Sequence, residues 1–193
     1  MGIRSLSSAS ISTGAKRSKF WDQTATLSNA SYEAIQSYSL TGSQASVEFT
    51  SIPQTYRSLV VTTFNLTNTY STGAYFYLNS DTTLTNYNYS ALYSVGTGSG
   101  TSTYGNTTIS PNFMGGSTSQ PGYGSFMIQD YTSTSKYKVW RGVDGAIDDG
   151  TSPYNNNIGG VYNSTNAITA LRMTIVSSRT WSAGSKITLY GIK

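Results

Sequence analysis

The chain has 193 residues, with 12 Lys and Arg against 8 Asp and Glu, and it contains neither His nor Cys. The usual zinc sites, thiol nucleophiles and Ser-His-Asp triads cannot be built without those residues, and a disulfide framework is excluded. Only 10% of the residues are charged and 13% are aromatic, which argues against both intrinsic disorder and a helical bundle. The many Tyr, Thr, Gly and Ser residues instead predict strands and turns, and hence an all-β protein.

The net charge of +4 is unevenly distributed. The first 25 residues hold a single acid, Asp22, and four cations: Arg4, Lys16, Arg17 and Lys19. Their sum of +3 leaves only +1 for the remaining 168 residues. Because this first segment also has weak periodicity and much Ser, we predict an extended basic arm over residues 1–25 and a β-sandwich domain over residues 26–193.

Within the arm, three cations precede two large aromatic residues in the segment Lys16-Arg17-Ser18-Lys19-Phe20-Trp21. Such a segment can anchor on an acidic groove of a protein, remain a solvated tail, or bind nucleic acid through phosphate contacts and stacking. Exposed aromatic side chains tend to mark contacts. We therefore interpret the arm as a protein-binding anchor, and we do not expect nucleic acid to be its main partner. The predicted anchor residues are Arg4, Lys16, Arg17, Lys19, Phe20 and Trp21.

From residue 31 onward the pattern is that of short strands. In the segment 44–50, Ala45, Val47 and Phe49 alternate with polar residues, the period of two of a half-buried strand. The segment 57–67 has a nearly continuous apolar centre, which indicates a central strand. The predicted strands are 31–40, 44–50, 57–67, 73–79, 89–95, 123–131, 136–142, 158–163, 167–176 and 185–193.

Two long polar segments interrupt the strands. Residues 96–121 are rich in Gly, Ser and Thr and are too long for a hairpin turn. In the segment 144–157, oxygen ligands for Ca²⁺ are available from Asp144, Asp148, Asp149 and the Asn155–Asn157 run. They lack the spacing of an EF-hand loop, so we predict a polar loop with Asp-Gly turns and no metal site.

The strands and turn clusters together predict an antiparallel two-sheet β-sandwich, jelly-roll-like, with the arm extending from it. No helix of three turns is predicted. Residues 1–25 contain no apolar core of a signal peptide, and no run approaches the ~18–20 apolar residues of a membrane helix. We therefore expect neither secretion nor a membrane partner.

Tyrosines in the strands offer a recognition surface, because aromatic faces serve as platforms for sugars. The candidates are Tyr75, Tyr77, Tyr87, Tyr89, Tyr93 and Tyr104. Tyrosine is equally a good strand and rim residue without any ligand, and this second interpretation is the one we favour. A glycosidase would need two carboxylates about 5–9.5 Å apart. Sequence alone cannot show such a pair, and chance pairs among eight acids are common, so we predict no catalytic residues, no cofactor and no enzymatic activity.

Several segments, in this order and spacing, resemble a widespread group of small virion proteins of tailed bacteriophages, especially those infecting marine bacteria and cyanobacteria. The segments are SISTGAKRSKFWDQTA, VEFTSIPQTYRSLVV, IQDYTSTSKYKVWRG, GGVYNSTNAITALRM and WSAGSKITLYGIK. The resemblance spans nearly the whole chain and is weakest in residues 96–121 and 144–157. It implies a β-sandwich building block of the virion, with architectural roles at Pro53, Tyr56, Asp130, Tyr131, Lys136, Tyr137, Lys138 and Arg141.

The resemblance implies a virion structural protein, and we expect a capsid decoration or cement protein bound to the major capsid protein or to other virion proteins. We expect it on the particle surface, assembled in the host cytoplasm, as a homo-oligomer with a trimer favoured. The alternative is a tail fibre or spike tip, or another tail-associated protein, that binds host surface polysaccharide.

Overall fold

The described part of the chain is built almost entirely from β-strands. The computed structural model describes residues 31–67, 73–96, 101–105, 113–114, 121–148, 152–175 and 179–193, so the predicted arm, residues 1–25, lies outside it. The strands are β1 (Tyr32–Ser39), β2 (Ser46–Phe49), β3 (Ser58–Leu66), β4 (Gly73–Leu78), β5 (Tyr87–Val95), β6 (Thr101–Gly105), β7 (Phe113–Met114), β8 (Gly122–Gln129), β9 (Lys138–Asp148), β10 (Ser152–Tyr162), β11 (Leu171–Ile175) and β12 (Lys186–Ile192). Among these residues no helix has the length and hydrophobicity to cross a bilayer.

The strands form two antiparallel sheets. The large sheet has the order β1-β12-β3-β8-β9-β10-β5-β6, and the small sheet has the order β2-β11-β4-β7. The first four strands alternate between the two sheets, as the chain of a jelly roll passes from one sheet to the other. The prediction of an all-β, antiparallel two-sheet sandwich is confirmed.

Aromatic side chains fill the space between the sheets. Phe76 of the small sheet stacks on Phe126 of the large sheet, with 4.4 Å between ring centroids. Trp140 meets the Phe76 ring edge-on at 5.1 Å. All three side chains are almost completely buried. Burial of this much aromatic surface supplies a large part of the hydrophobic stabilisation of so polar a chain.

The Trp140 ring lies directly over a glycine of the neighbouring strand. A Cβ atom at Gly160 of β10 would overlap both this ring and the backbone carbonyl oxygen of Asn88 in β5. At Gly159, on the other face of the same strand, a Cβ atom would find the carbonyl oxygen of Trp140 at an ordinary contact distance of 3.5 Å. The position of Trp140 in the core therefore depends on the missing side chain of Gly160.

The prediction that residues 144–157 form a polar loop is wrong. Strands β9 and β10 continue through most of this segment as one long hairpin, in which Asp144 is opposite Asn156 and Gly145 is opposite Asn155. Both strands are paired on their other sides as well, with β8 and β5. Pairing on both sides outweighs the low strand propensity of Asp, Asn and Gly. The segment 96–121 likewise contains two short strands, β6 and β7.

Tyr131 links three loops at one end of the sandwich. Its hydroxyl group donates to the carbonyl oxygen of Pro53 and accepts from the backbone N–H of Tyr56 at 3.4 Å. Its own carbonyl oxygen accepts from the N–H of Ile168 at 2.8 Å. These contacts give Pro53, Tyr56 and Tyr131 structural roles.

Lys138 lies beside this junction, and its side chain is fully buried. The ammonium group donates to three carbonyl oxygens, those of Ser133 at 2.6 Å, Lys136 at 2.8 Å and Thr165 at 3.1 Å. Burial lowers the pKa of Lys138, and the charge of Asp130 opposes that shift. The three hydrogen bonds tie the loop before β9 to the loop after β10 and use all three donors of the ammonium group.

Candidate functional site: the open face of the large sheet

The outer face of the large sheet carries large apolar side chains exposed to solvent. We call this surface the open face. Leu92 of β5 is 56% exposed, Val143 of β9 53% and Phe64 of β3 59%. The outward set also includes Tyr32, Tyr123, Val139 and Ile147. On β5 and β9 they alternate with inward-facing residues, and polar residues lie between them across the sheet: Asn157 of β10 separates Leu92 from Val143.

The outer face of the small sheet is different. Its outward positions on β2 and β11 are Ser46, Glu48, Arg172 and Thr174, the polar pattern expected where a sheet faces water. On the open face, the described outward side chains include only two charges, Arg141 and, at a corner, Lys186. Strand β4 adds the half-buried Tyr75 and Tyr77 to the outer face of the small sheet, so the two outer surfaces differ mainly in their charge.

Shallow depressions lie between the exposed side chains of the open face. One of about 440 Å³ is bordered by Tyr123, Ile147 and Pro153, and another of about 500 Å³ by Leu92 and Val143. A third, of about 450 Å³, extends toward β3 and shares Tyr123 with the first and Val143 with the second. Gly145 borders the first and third depressions and leaves them open because it has no side chain. The open face therefore has both projections and recesses.

The tyrosines singled out in the sequence do not form one surface. Tyr87 and Tyr89 are buried, and Tyr75 and Tyr77 are half-buried on the small sheet, where the Arg172 guanidinium lies 5.6 Å from the Tyr77 ring centroid. Burial, with smaller contributions from neighbouring Tyr77 and Tyr89, raises the pKa of Tyr75.

The two remaining candidates belong to neighbouring strands of the large sheet. Tyr93 is half-buried on β5 and stacks on Tyr154 of β10, with 5.9 Å between ring centroids. Tyr104 lies on β6, and its side chain is outside the described part. The predicted anchor residues Arg4, Lys16, Arg17, Lys19, Phe20 and Trp21 also lie outside the described residues.

Tyr87 is part of a buried hydrogen-bond cluster around Asp81. Its hydroxyl group donates to the carbonyl oxygen of Asp81 at 2.8 Å and accepts from the N–H of Leu78 at 2.9 Å. The Tyr162 hydroxyl donates to the Asp81 carboxylate at 2.9 Å, and the Asn86 side chain donates to it at 2.7 Å. Burial, together with the neighbouring carboxylate, raises the pKa of Tyr162 to about 12. Tyr87 is thus held as a structural residue.

Burial opposes the charge of Asp81, but hydrogen bonds from Asn86, Thr83 and Tyr162 outweigh it and hold the pKa of this carboxyl below its usual range. A carboxyl with a lowered folded-state pKa stabilises the fold above its unfolded value of about 3.9, and this contribution is lost as pH falls further. We expect Asp81→Asn to lose about 1–3 kcal/mol of unfolding free energy at neutral pH. The difference from wild type should shrink below about pH 4.

Urea unfolding across this pH range measures the effect. The control is Asp130→Asn, since Asp130 is exposed and only 3.9 Å from the Lys136 ammonium in a surface ion pair, which contributes little. A deficit in Asp81→Asn that stays constant down to about pH 3 would contradict the assignment of the effect to the carboxylate charge.

The acids of the described residues do not gather into a cation site. Within the ranges that the structure describes, no group of three or more Asp and Glu side chains is placed to hold a metal ion. Asp144 lies opposite Asn156 in the hairpin of β9 and β10.

Comparison with protein-family models, curated proteins and solved structures finds no match to this chain.

The open face was not predicted from the sequence, although a signal exists. In a strand with one solvated face, apolar residues occupy alternate positions. Here they also occupy the intervening positions, as with Val139 beside Trp140 in β9 and Leu92 beside Ala91 in β5. Such doubled patterns indicate strands with two apolar surfaces. In β3 the same doubled pattern led only to the prediction of a central strand.

Proposed function

We propose that this chain is a non-enzymatic structural subunit of a tailed-phage virion, and that it binds the assembled capsid as a decoration protein. The observation that carries the proposal is the open face, a wide surface of exposed apolar and neutral polar side chains, which marks the chain as a subunit of a larger assembly. Exposed apolar patches of this extent mark sites of protein contact. The resemblance of five segments to small phage virion proteins supports a virion as the assembly to which the chain belongs.

The mechanism is mechanical. Many copies of the subunit bridge neighbouring molecules of the major capsid protein, and each contact lowers the free energy of the assembled shell relative to the disassembled subunits by mass action. The basic, aromatic arm (residues 1–25) provides the attachment, and the sandwich body lies on the particle surface. In this proposal, the particles assemble in the host cytoplasm, and no cofactor, nucleic acid or membrane takes part in the binding.

Deletion of residues 1–25 is expected to abolish binding to purified capsids while the sandwich stays folded. Co-sedimentation with capsids measures the binding, and circular dichroism measures the fold. A full-length chain with Phe20→Ala and Trp21→Ala tests the same contact without truncation. Both variants decorating capsids at wild-type occupancy would refute the anchor.

A tail-tip protein that binds host polysaccharide is the second candidate function. The observation that favours it is the depression of about 440 Å³ in which Tyr123 lies beside Asn155, since sugars are bound by aromatic faces together with amide groups. Glycan-array binding by the purified chain would support this alternative. Counting copies per virion separates the two functions, because a decoration protein occurs in hundreds of copies and a tail tip in far fewer.

A further inference from the structure

We propose that the open face is covered by a second copy of this same chain. The sequence predicts a homo-oligomer but no surface for it, and the structure supplies one. This inference does not rest on the virion proposal, because it concerns the purified chain alone. Three properties of the open face support it: its size, its charge, and its combination of projecting side chains and depressions.

The size of the open face is that of a stable interface. Eight strands spaced by about 4.8 Å give a width of about 34 Å. The nine residues of β3, at about 3.4 Å each, give a length of about 30 Å. The resulting area of roughly 1,000 Å² compares with the roughly 800 Å² that each partner contributes to a standard protein interface. A second sheet lying on this face would therefore bury enough surface for a specific complex.

The charge of the open face suits a copy of itself. A strongly charged partner would leave its own charges unpaired and desolvated against Leu92, Val143 and Tyr123, which is costly. A second open face brings one central charge of its own, Arg141, and otherwise apolar and neutral polar groups. Arg141 lies next to Gly159 in the strand register, where no side chain competes for the space. The guanidinium can thus extend along the sheet to the solvent at the rim.

The shape of the open face permits packing against a copy of itself. An interface between two copies related by a two-fold axis uses one patch twice, so the patch must contain both projections and recesses. The side chains of Leu92, Val143 and Phe64 project from the face, and the depressions around Gly145 can accommodate projecting side chains of the second copy. Packing between two such sheets at about 10 Å would resemble the interior of a sandwich.

The test introduces a charge into the centre of the face. Val143→Lys and Leu92→Lys replace exposed side chains, so the monomer should fold normally. Ser46→Lys on the outer face of the small sheet is the matched control. Sedimentation of the full chain should give wild type and Ser46→Lys twice the chain mass of 20.7 kDa, because two copies packed face to face form a dimer. The two open-face variants should dissociate at concentrations at least about tenfold higher.

A second measurement guards against misfolded variants. Because the chain has no cysteine, a single Val143→Cys reports its own exposure through its reaction rate with a maleimide. That rate should rise on dilution as copies separate, whereas Ser46→Cys should react equally fast at all concentrations. Equal rates at all concentrations for Val143→Cys would overturn the inference.

Three further results would also overturn it. The first is a wild-type chain that sediments as a monomer at high concentration. The second is an oligomer that survives Val143→Lys but is lost on deletion of residues 1–25, which would assign the contact to the arm. The third is a monomer whose capsid binding is abolished by Val143→Lys, which would assign the open face to a capsid protein and leave the virion proposal standing.

Discussion

Gly160→Ala is expected to lower the free energy of unfolding by about 3 kcal/mol, at the upper end of what overpacking costs. The new methyl group would overlap the ring of Trp140 and the carbonyl oxygen of Asn88. The ring cannot retreat, since it packs edge-on against Phe76 in the core. The carbonyl group belongs to β5, so its displacement would separate two paired strands. Close packing leaves neither neighbour an alternative position.

Gly159→Ala is the control for this substitution. It makes the same chemical change one residue earlier in the same strand, where the added methyl group meets only ordinary contacts of 3.5 and 3.8 Å. Its effect should be within about 1 kcal/mol and can be stabilising, because alanine restricts the unfolded chain more than glycine does. Urea unfolding at one protein concentration compares the two. Equal stability of the two variants would mean that Trp140 is not packed against Gly160 as described.

Lys138→Met should lower the free energy of unfolding by about 3 kcal/mol. Methionine replaces most of the buried stem, so little cavity forms, but the carbonyl groups of Ser133, Lys136 and Thr165 lose their common donor. A fully buried acceptor left without a donor costs about 1–3 kcal/mol, and hydration of these part-buried carbonyl groups reduces the total. The loss should appear as earlier unfolding of the loop before β9 and of the loop after β10.

The control is Lys136→Met, two residues away. The Lys136 side chain is 72% exposed and pairs with Asp130 at 3.9 Å, so its removal should change stability by less than about 0.5 kcal/mol. Thermal unfolding together with amide hydrogen exchange of residues 131–137 measures both variants. A Lys138→Met variant as stable as wild type would mean that desolvation of the ammonium group cancels its three hydrogen bonds.

The sequence was sufficient for the architecture because the physical signal for strands is local. In β2, buried Val47 and Phe49 alternate with exposed Ser46 and Glu48, and this period of two can be read without knowing any neighbour. The long hairpin of β9 and β10 could not be predicted in the same way. Its strand state depends on pairing partners on both sides, and Asp144 and Asn156 have no local preference for strands.

The sequence predicted the candidate site less well than the fold. Exposure of Leu92 and Val143 follows from which face of the large sheet the small sheet covers, and that is a property of the whole topology. The same holds for the tyrosines. Tyr87 and Tyr93 lie on one face of one strand, yet Tyr87 is buried beneath Tyr77 and Tyr162 whereas Tyr93 is only half-buried. The alternation of inward and outward positions along a strand therefore does not by itself distinguish Tyr87 from Tyr93.

The pairing of β1 with β12 determines how the domain responds to tension. The two strands are antiparallel neighbours at one edge of the large sheet, and Tyr32 at the start of one is opposite Ile192 at the end of the other. A force applied between these two ends acts across the ladder and breaks its hydrogen bonds one pair at a time. The Glu33 carboxylate and the Lys193 ammonium, 3.0 Å apart, are the first side-chain contact to meet that force. Under such a load we expect β1 to separate from β12 one residue pair at a time. The aromatic core between the sheets should stay buried until β1 has detached.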